Sequence, residues 1–439
     1  MTLSAAVIGG GPAGLMAAET LACAGLAVTV YEHMPSIGRK LVLAGRAGLN
    51  ITHSEPIDTL VSRYGTAAER LEVAIRAFTP RDVRAWCASL GETTFVGSTG
   101  RVFPASFRAT PLLRAWLVRL AELGVTMKPR HRWLGWAETP DGRTDPSVSM
   151  FSRPDTSTIE VASDATVFAL GGASWPRVGS DGGWVDVFRR ARVGVSDLRP
   201  SNVGVRIQWS QHFADRFAGA PLKNVAVSVG GTAIRCDAMI TSHGLEGGPI
   251  YSHSSAIREA LDRDGRCIVE MDLKPDLTAD QLIDRFAKRR AKDSTATFLH
   301  RTIGLQPASA SLLRESTGNR IPTDHADLAT LVKSASLVVE ATMPIARAIS
   351  SAGGISFSQV DQSFMVRRLP GTFVAGEMLD WDAPTGGYLL QACFSTGKAA
   401  ARGALSWLGA ADAPQTLAMR DESSGTAHLS SRAGPTGER

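Results

Sequence analysis

SAAVIGGGPAGLMAAETLACAGLAVTVYE, residues 4–32, decides how the rest of the chain is read. Ser4–Ile8 is an apolar run suited to a buried strand, Ala13–Ala24 an Ala- and Leu-rich helix, and Ala27–Tyr31 a second strand. Between the first strand and the helix stands Gly9-Gly10-Gly11-Pro12-Ala13-Gly14. There Gly9 permits a tight turn, Gly11 lets a pyrophosphate approach the backbone, and Gly14 lets helix and strand pack closely. The helix start adds free N–H groups and a partial positive charge for phosphates. Glu32 ends the second strand about 20 residues on, where a carboxylate accepts hydrogen bonds from ribose hydroxyls. The same charge repels a 2′-phosphate and argues against NADP at this site. A glycine turn without a ligand is the competing reading, and the strand–turn–helix–strand context ending in Glu32 outweighs it.

Outward from that unit, 439 residues are too many for one small core and suggest two or three domains. A hydrophobic fraction of 44% and a charged fraction of 20% are those of an ordinary globular protein. The net charge of +5 and pI near 9.1 raise the question of nucleic acid. The densest basic run, Lys288-Arg289-Arg290 with Lys292, lacks interleaved aromatics and reads as a solvated helix face, so nucleic acid is not expected as a partner. The five cysteines are far apart with no CxxC pair, which points to neither a zinc site nor a dithiol centre and suits a reducing compartment. No n-region and h-region pattern precedes the first strand and no apolar stretch is long enough to cross a bilayer, so a cytoplasmic protein without membrane contact is expected.

Glycine-punctuated Gly38–His53 reads as a long functional loop, followed by helical patterns at Ala67–Phe78, Pro80–Leu90 and Pro111–Leu123. The polar span Asp141–Thr158 reads as a surface hairpin and Asp164–Leu170 as an apolar strand running into Gly171-Gly172. Short alternating segments at Val203–Trp209, Val225–Val229 and Cys267–Leu273 argue antiparallel strands. Thr278–Lys333 returns to helical period, Leu337–Ala341 and Thr372–Ala375 read as strands, and a helix runs from about Leu389 to Leu408. The expected division is a discontinuous nucleotide-binding domain (1–199 plus 345–410) into which an antiparallel domain (200–275 plus 335–344) and a helical part (276–334) are inserted. Residues 411–439, rich in Ser, Gly, Thr and charge, are expected to be disordered.

The far end identifies the nucleotide. Gly376-Glu377 follows an apolar strand, and Thr385-Gly386-Gly387-Tyr388 opens the last helix. A second helix start of this kind offers backbone N–H groups to the pyrimidine edge of a flavin, and its dipole stabilises negative charge at N1. Together with Gly38-Arg39-Lys40-Leu41, Gly45, Gly48, Asn50, Thr52 and His53, which have no place in a plain NAD half, this points to FAD. Gly386-Gly387 taken alone could be an ordinary loop, and Arg39-Lys40 a solvated pair.

Four stretches, AVIGGGPAGLMAAETLACAGLAVTVYEHMPSIGRKLVLAGRAGLNITHSE (6–55), TGRVFPASFRATPLLRAWL (99–117), FALGGASWPRVGSDGG (168–183) and FVAGEMLDWDAPTGGYLLQACFSTGKAAA (373–401), resemble one flavoprotein family with aminoacetone oxidase-like and bile-acid 4-ene reductase-like members. The resemblance implies an α/β fold of the two-dinucleotide-binding-domain flavoprotein type: a Rossmann-like FAD domain with an inserted antiparallel β-barrel and a helical subdomain. Much of the family carries Gly-Arg-Cys-Asn after the position of Lys40, where this chain reads Ala47-Gly48-Leu49-Asn50, so it resembles a subgroup with a GRxGLNxTHSE loop and no known substrate. On matching positions the resemblance implies FAD contacts from Gly9, Gly11, Pro12, Ala13, Gly14, Glu32, Arg39, Lys40, Gly45, Asn50, Thr52, Gly376, Glu377 and the backbone of Gly386, Gly387, Tyr388 and Leu389, with Gly171-Gly172 near the adenine. Trp133 is a candidate adenine neighbour, with a core aromatic as the competing reading.

Catalytic candidates are the titratable or polar groups in glycine-rich loops: His53, His243 and Tyr388. A histidine hydrogen-bonded within its own loop is the bland alternative for each imidazole. The expected function is an FAD-dependent oxidoreductase acting on a small molecule by hydride transfer at flavin N5. With one GxGxxG only, O2 or NAD(P)H admitted directly at the flavin face is the expected second substrate. An RNA-modifying flavoprotein and a flavin-binding module without turnover are the alternatives from other classes.

Overall fold

A computed structural model of the chain describes residues 2–288 and 293–410. Most of the basic run near 288–292, and the tail from 411, therefore lie outside the described residues. The opening strand, Ser4–Ile8, stands in the middle of five parallel strands ordered Thr372–Val374, Ala165–Phe168, Ser4–Ile8, Ala27–Glu32, Thr126–Pro129. A parallel sheet is covered on both faces, which is why these strands read as unbroken apolar runs. Val7 pairs with Val30 on one side and Val167 on the other, and all three are fully buried.

The first helix, Pro12–Cys23, and the last, Tyr388–Trp407, cross at very close range. A Cβ on Gly397 would stand 2.2 Å from the Ala13 carbonyl oxygen, and one on Gly14 would stand 1.9 Å from that of Gly9. Absence of side chains at these two points is what lets the last helix approach the first and the first helix approach the turn that precedes it. Within the Ala- and Leu-rich first helix Glu19 is buried, and accepts hydrogen bonds from Trp86 Nε1 (3.1 Å), Trp116 Nε1 (2.6 Å) and Arg119 Nη1 (3.1 Å). It thus clasps helices Pro80–Ser89 and Ala109–Glu122 against the nucleotide-binding unit.

A second cluster of buried residues, including Val227, Ile240, Val269 and Phe286, belongs to a seven-stranded antiparallel sheet and the helices of 279–333. Its edge strands, Ala335–Val339 and Ala341–Thr342, are separated only by Glu340. The first pairs with Cys267–Asp272 and the second with Val205–Arg206, so one stretch of chain joins the two edges and the sheet curls round. The helical period expected over Thr278–Lys333 resolves into Ala279–Phe286, Thr295–Ile303, Pro307–Ser316 and His325–Lys333.

Three local expectations change. Gly38–His53 is not loop throughout: Arg39–Ala44 is a short helix and Thr52–His53 a strand. The polar span at 141–158 holds the nine-residue middle strand, Thr144–Ser152, of a three-stranded sheet, where its inward Ser149 and Phe151 are buried. Ser350–Ile355, a Ser- and Gly-rich stretch without a strand signal, pairs antiparallel with Val195–Ser201. The chain therefore leaves the nucleotide-binding sheet and returns to it side by side. Gly353 makes that pairing possible, because a Cβ there would lie 2.1 Å from the Asp197 carbonyl oxygen. No helix among the described residues is long and apolar enough to cross a membrane.

His253 supplies a pH dependence. Its ring is buried, Nε2 lies 3.0 Å from the Val227 carbonyl oxygen, and burial lowers its pKa below the ordinary 6.5. As pH falls through about 6.5 the unfolded chain takes up a proton that the folded chain does not, so stability present at neutral pH is lost on acidification. Tm should therefore drop more between about pH 7.5 and 5.5 for the native chain than for His253→Asn. Parallel curves would show that this imidazole does not contribute.

Candidate cofactor-binding site

The carboxyl ends of the three neighbouring strands Thr372–Val374, Ala165–Phe168 and Ser4–Ile8 open onto one cleft of about 670 Å³. Ligands of open α/β sheets sit at this end of the strands. Gly9–Ala13 form its floor and Gly38–Leu41 one wall, while Ala169–Gly171 and Ala375–Glu377 close it. Gly9 turns the chain with φ +111°, in the region that favours glycine. The first helix starts at Pro12 with no side chain capping it, so its leading N–H groups face the cleft without competition.

Glu32 lines the same cleft and is held in place by the Gly10 N–H (2.9 Å, to Oε2) and the Met34 N–H (2.8 Å, to Oε1). An ionised carboxylate accepts about four hydrogen bonds, which leaves two for a diol. Across the cleft Lys40 Nζ reaches Glu377 Oε2 and Ser174 Oγ, both at 2.7 Å, and Glu377 Oε1 accepts from the Ser351 N–H at 3.0 Å. Arg39 Nε, Ser180 Oγ and Asn50 Oδ1 are buried without a protein partner. Buried polar atoms are nearly always satisfied, so Arg39 and Ser180, which line the cleft, are groups a ligand there would complete; Asn50 is not among the lining residues. An uncapped helix start, an oriented acid and unsatisfied polar atoms beside a cleft of this size fit FAD.

A recess of about 420 Å³ continues from the main cleft past His33, Leu170 and Gly179. Trp133, Tyr31 and Trp184 wall it. Trp133 also packs edge-on to Trp136 and Phe168, so it belongs to the core and to the recess at once; its Nε1 is buried and unpartnered. Gly171 lines the main cleft, and its carbonyl accepts from Trp184 Nε1 at 2.8 Å. Gly172 instead packs on Ser351, and Gly45 on Ala109.

The start of the last helix is built from the inside. Gly387 has φ +100°, and a Cβ there would be 2.4 Å from the Thr52 carbonyl group. The Thr52 hydroxyl is spent on Gln391 Oε1 at 2.6 Å, and Gln391 Nε2 donates to the Phe78 carbonyl at 2.7 Å. From the other side Asp382 accepts from Arg258 (2.5 Å) and Ser201 (2.5 Å), tying the loop before Gly386 to the antiparallel unit. Like the first helix, this one carries no side-chain cap at its start, which leaves the leading N–H groups around Tyr388 and Leu389 unblocked by a side chain.

The catalytic candidates are divided. His53 and Tyr388 come together, their rings stacked with centroids 5.3 Å apart. His53 Nε2 lies 3.0 Å from the Thr99 carbonyl oxygen and Nδ1 accepts from the Glu55 N–H at 3.2 Å, so both ring nitrogens are used within the loop. His53 borders a separate hollow with Glu55, Thr79 and Arg84. Burial, followed by the neighbouring Glu55, raises the Tyr388 pKa, which keeps its hydroxyl protonated at neutral pH. Burial and then Arg63 act in opposite directions on Glu55, and the guanidinium, with Tyr388, prevails and lowers its pKa. His243 stands on an exposed hairpin turn, its carbonyl accepting from the Ile207 N–H at 2.9 Å, and borders none of these hollows. Cleft residues that sequence reading passed over are His33, Ser36, Ser180 and Cys393. Only Ser180, beside the glycines of 179–183, had a local signal. Burial pushes the Cys393 thiol up to about 12, so it is not a thiolate near neutrality.

Comparison with known proteins agrees with the geometry. A 3-dehydro-bile acid delta(4,6)-reductase of Clostridium scindens is 25% identical over 421 residues, covering 91% of this chain and 98% of that protein. The open conformation of a flavocytochrome c3 fumarate reductase shares the fold with a TM-score of 0.52 at 14% identity, over 92% of this chain and 78% of that one. A 3-ketosteroid delta1-dehydrogenase from Sterolibacterium denitrificans does so with a TM-score of 0.51 at 12% identity, over 92% of this chain and 100% of that one. The family model described as the HI0933-like protein Rossmann domain matches residues 3–403. The chain belongs to the HI0933-like family of Rossmann-fold, FAD-dependent oxidoreductases.

Proposed function

We propose that this enzyme transfers a hydride at flavin N5 between NAD(P)H, admitted directly at the flavin face, and an unsaturated small molecule. The observation that carries it is the cleft at the strand ends, which the first, uncapped helix start, Glu32 and the unsatisfied Arg39 and Ser180 line together. Bound there, FAD supplies the hydride-accepting and hydride-donating ring. The residues of the chain do the rest. Glu32 holds the ribose, Gly11 and the first helix start receive the pyrophosphate, and Asn50 with the backbone of 386–389 orients the ring. Lys40, locked to Glu377, keeps positive charge beside the cleft. Tyr388, held protonated, is no base: its hydroxyl is engaged with Glu55 and its ring stacks on His53. The reductive direction is supported by the relative named as a reductase. The single glycine fingerprint supports entry of NAD(P)H at the flavin face, because no second nucleotide-binding half is present in the sequence.

The test is spectroscopic. Purified holoprotein is mixed anaerobically with NADH or NADPH and then with air. Bleaching of the flavin band within seconds by either nucleotide is the expected result. A band untouched by both nucleotides, but bleached by a candidate substrate and restored by O2, would establish an oxidase instead.

A further inference from the structure

A second cleft, of about 700 Å³, lies between helix Ala68–Ala77 and the last helix and shares no residue with the cofactor cleft. Arg70, Val73, Ala74 and Ala77 enter it from one helical face, and Ser395, Lys398, Arg402 and Ser406 from the other. Phe78 and Phe364 complete the apolar part, while Val73 is left 75% exposed at the rim. Three cations line this cleft and no carboxylate does. Arg70 donates to the Phe357 carbonyl at 3.2 Å, which leaves its charge unneutralised. Lys398 Nζ stands 4.4 Å over the Phe78 ring, and neither Lys398 nor Arg402 is in an ion pair among the described residues. Burial, followed by the repulsion of Arg402 one turn away, outweighs the attraction of Glu19 and Asp82 and lowers the pKa of Lys398. Favourable placement at a helix C-terminus does not explain the pair. The dipole effect falls off within the last turn, and the last turn of this helix holds no basic residue.

We propose that this cleft binds a small amphipathic anion, its oxyanion head between Lys398 and Arg402 and its apolar body against Val73 and Ala74. Two cations one helical turn apart beside an apolar wall, with no acid among the lining residues, are complementary to that chemistry. The full-length, FAD-loaded protein is titrated calorimetrically with octanoate, 1-octanol and inorganic phosphate. Octanoate should bind saturably, and at least about tenfold more tightly than either other probe, because each lacks one half of the recognised chemistry. Lys398→Gln and Arg402→Gln should each weaken octanoate about tenfold, and Arg402→Lys should retain most of the affinity, with the flavin spectrum unchanged in all three. The proposal is overturned by any of three results: no saturable octanoate binding, equal affinity for 1-octanol or phosphate, or affinity unaffected in the Lys398→Gln/Arg402→Gln double variant. Octanoate binding only to apoprotein, in competition with FAD, would place it in the cofactor cleft and would likewise overturn it.

Discussion

Gly11→Val is expected to leave the apoprotein folded and to weaken FAD binding by about 100-fold or more, equivalent to about 2.7 kcal/mol. A Cβ at Gly11 meets nothing within 4 Å, and its backbone, with φ −85° and ψ −178°, is extended and open to any residue. A valine there strains nothing in the protein itself beyond about 1 kcal/mol for a poorer helix N-cap. Its methyl groups would project into the space before the first helix start, where a pyrophosphate held as we propose would approach the N–H groups. Gly14→Val makes the contrast, since its Cβ would stand 1.9 Å from the Gly9 carbonyl oxygen and force helix from strand. Flavin fluorescence quenching gives the affinity and a thermal melt of the apoprotein the stability. A Gly11→Val protein that binds FAD like the native chain would place the pyrophosphate elsewhere.

Glu19→Ala should cost about 3–5 kcal/mol of folding stability, the scale on which breaking a buried ion pair from one side destabilises. The carboxylate is 9% exposed and receives two indole N–H groups and the Arg119 guanidinium. Removing it strands Trp86 Nε1 and Trp116 Nε1 inside the protein, each an unsatisfied donor worth about 1–3 kcal/mol, and leaves Arg119, with 18% of its side chain exposed, without its carboxylate. These terms share one acceptor and do not add. Glu19→Gln keeps one acceptor oxygen and should lose about half as much. The check is urea unfolding of the apoprotein, followed by indole fluorescence. A loss under about 1 kcal/mol for Glu19→Ala would mean that water replaces the carboxylate and the clasp is not structural.

Glu19 also shows where reading the chain alone stops. In sequence it is one acid in an Ala- and Leu-rich helix, and its three partners lie 67 to 100 positions away. The unit around Gly9–Gly14 was legible because its contacts are local: turn, helix start and strand end fall within 29 consecutive residues, so residue type and spacing report the geometry directly. Ser350–Ile355 was not legible, since the pairing that makes it a strand comes from Val195–Ser201 and is allowed by the missing side chain at Gly353. Thr52 and Lys40 stand between these cases. The family resemblance implies a place beside a flavin for both, but the partners of both side chains come from far along the chain: Gln391 for one, Glu377 and Ser174 for the other.

What the amino-acid order alone determined is the nucleotide-binding unit, FAD as its cofactor and the return of the chain to the same sheet near Thr372, because strand hydrophobicity, turn glycines and helix starts are local properties. Only the tertiary structure decided which polar groups remain for a ligand. Arg39 and Ser180 keep unsatisfied atoms beside the opening turn's cleft, whereas His53 and Thr52 spend theirs on the protein. Hydrogen-bond satisfaction depends on every neighbour in space, and for a site assembled from both ends of the chain those neighbours are not neighbours in sequence.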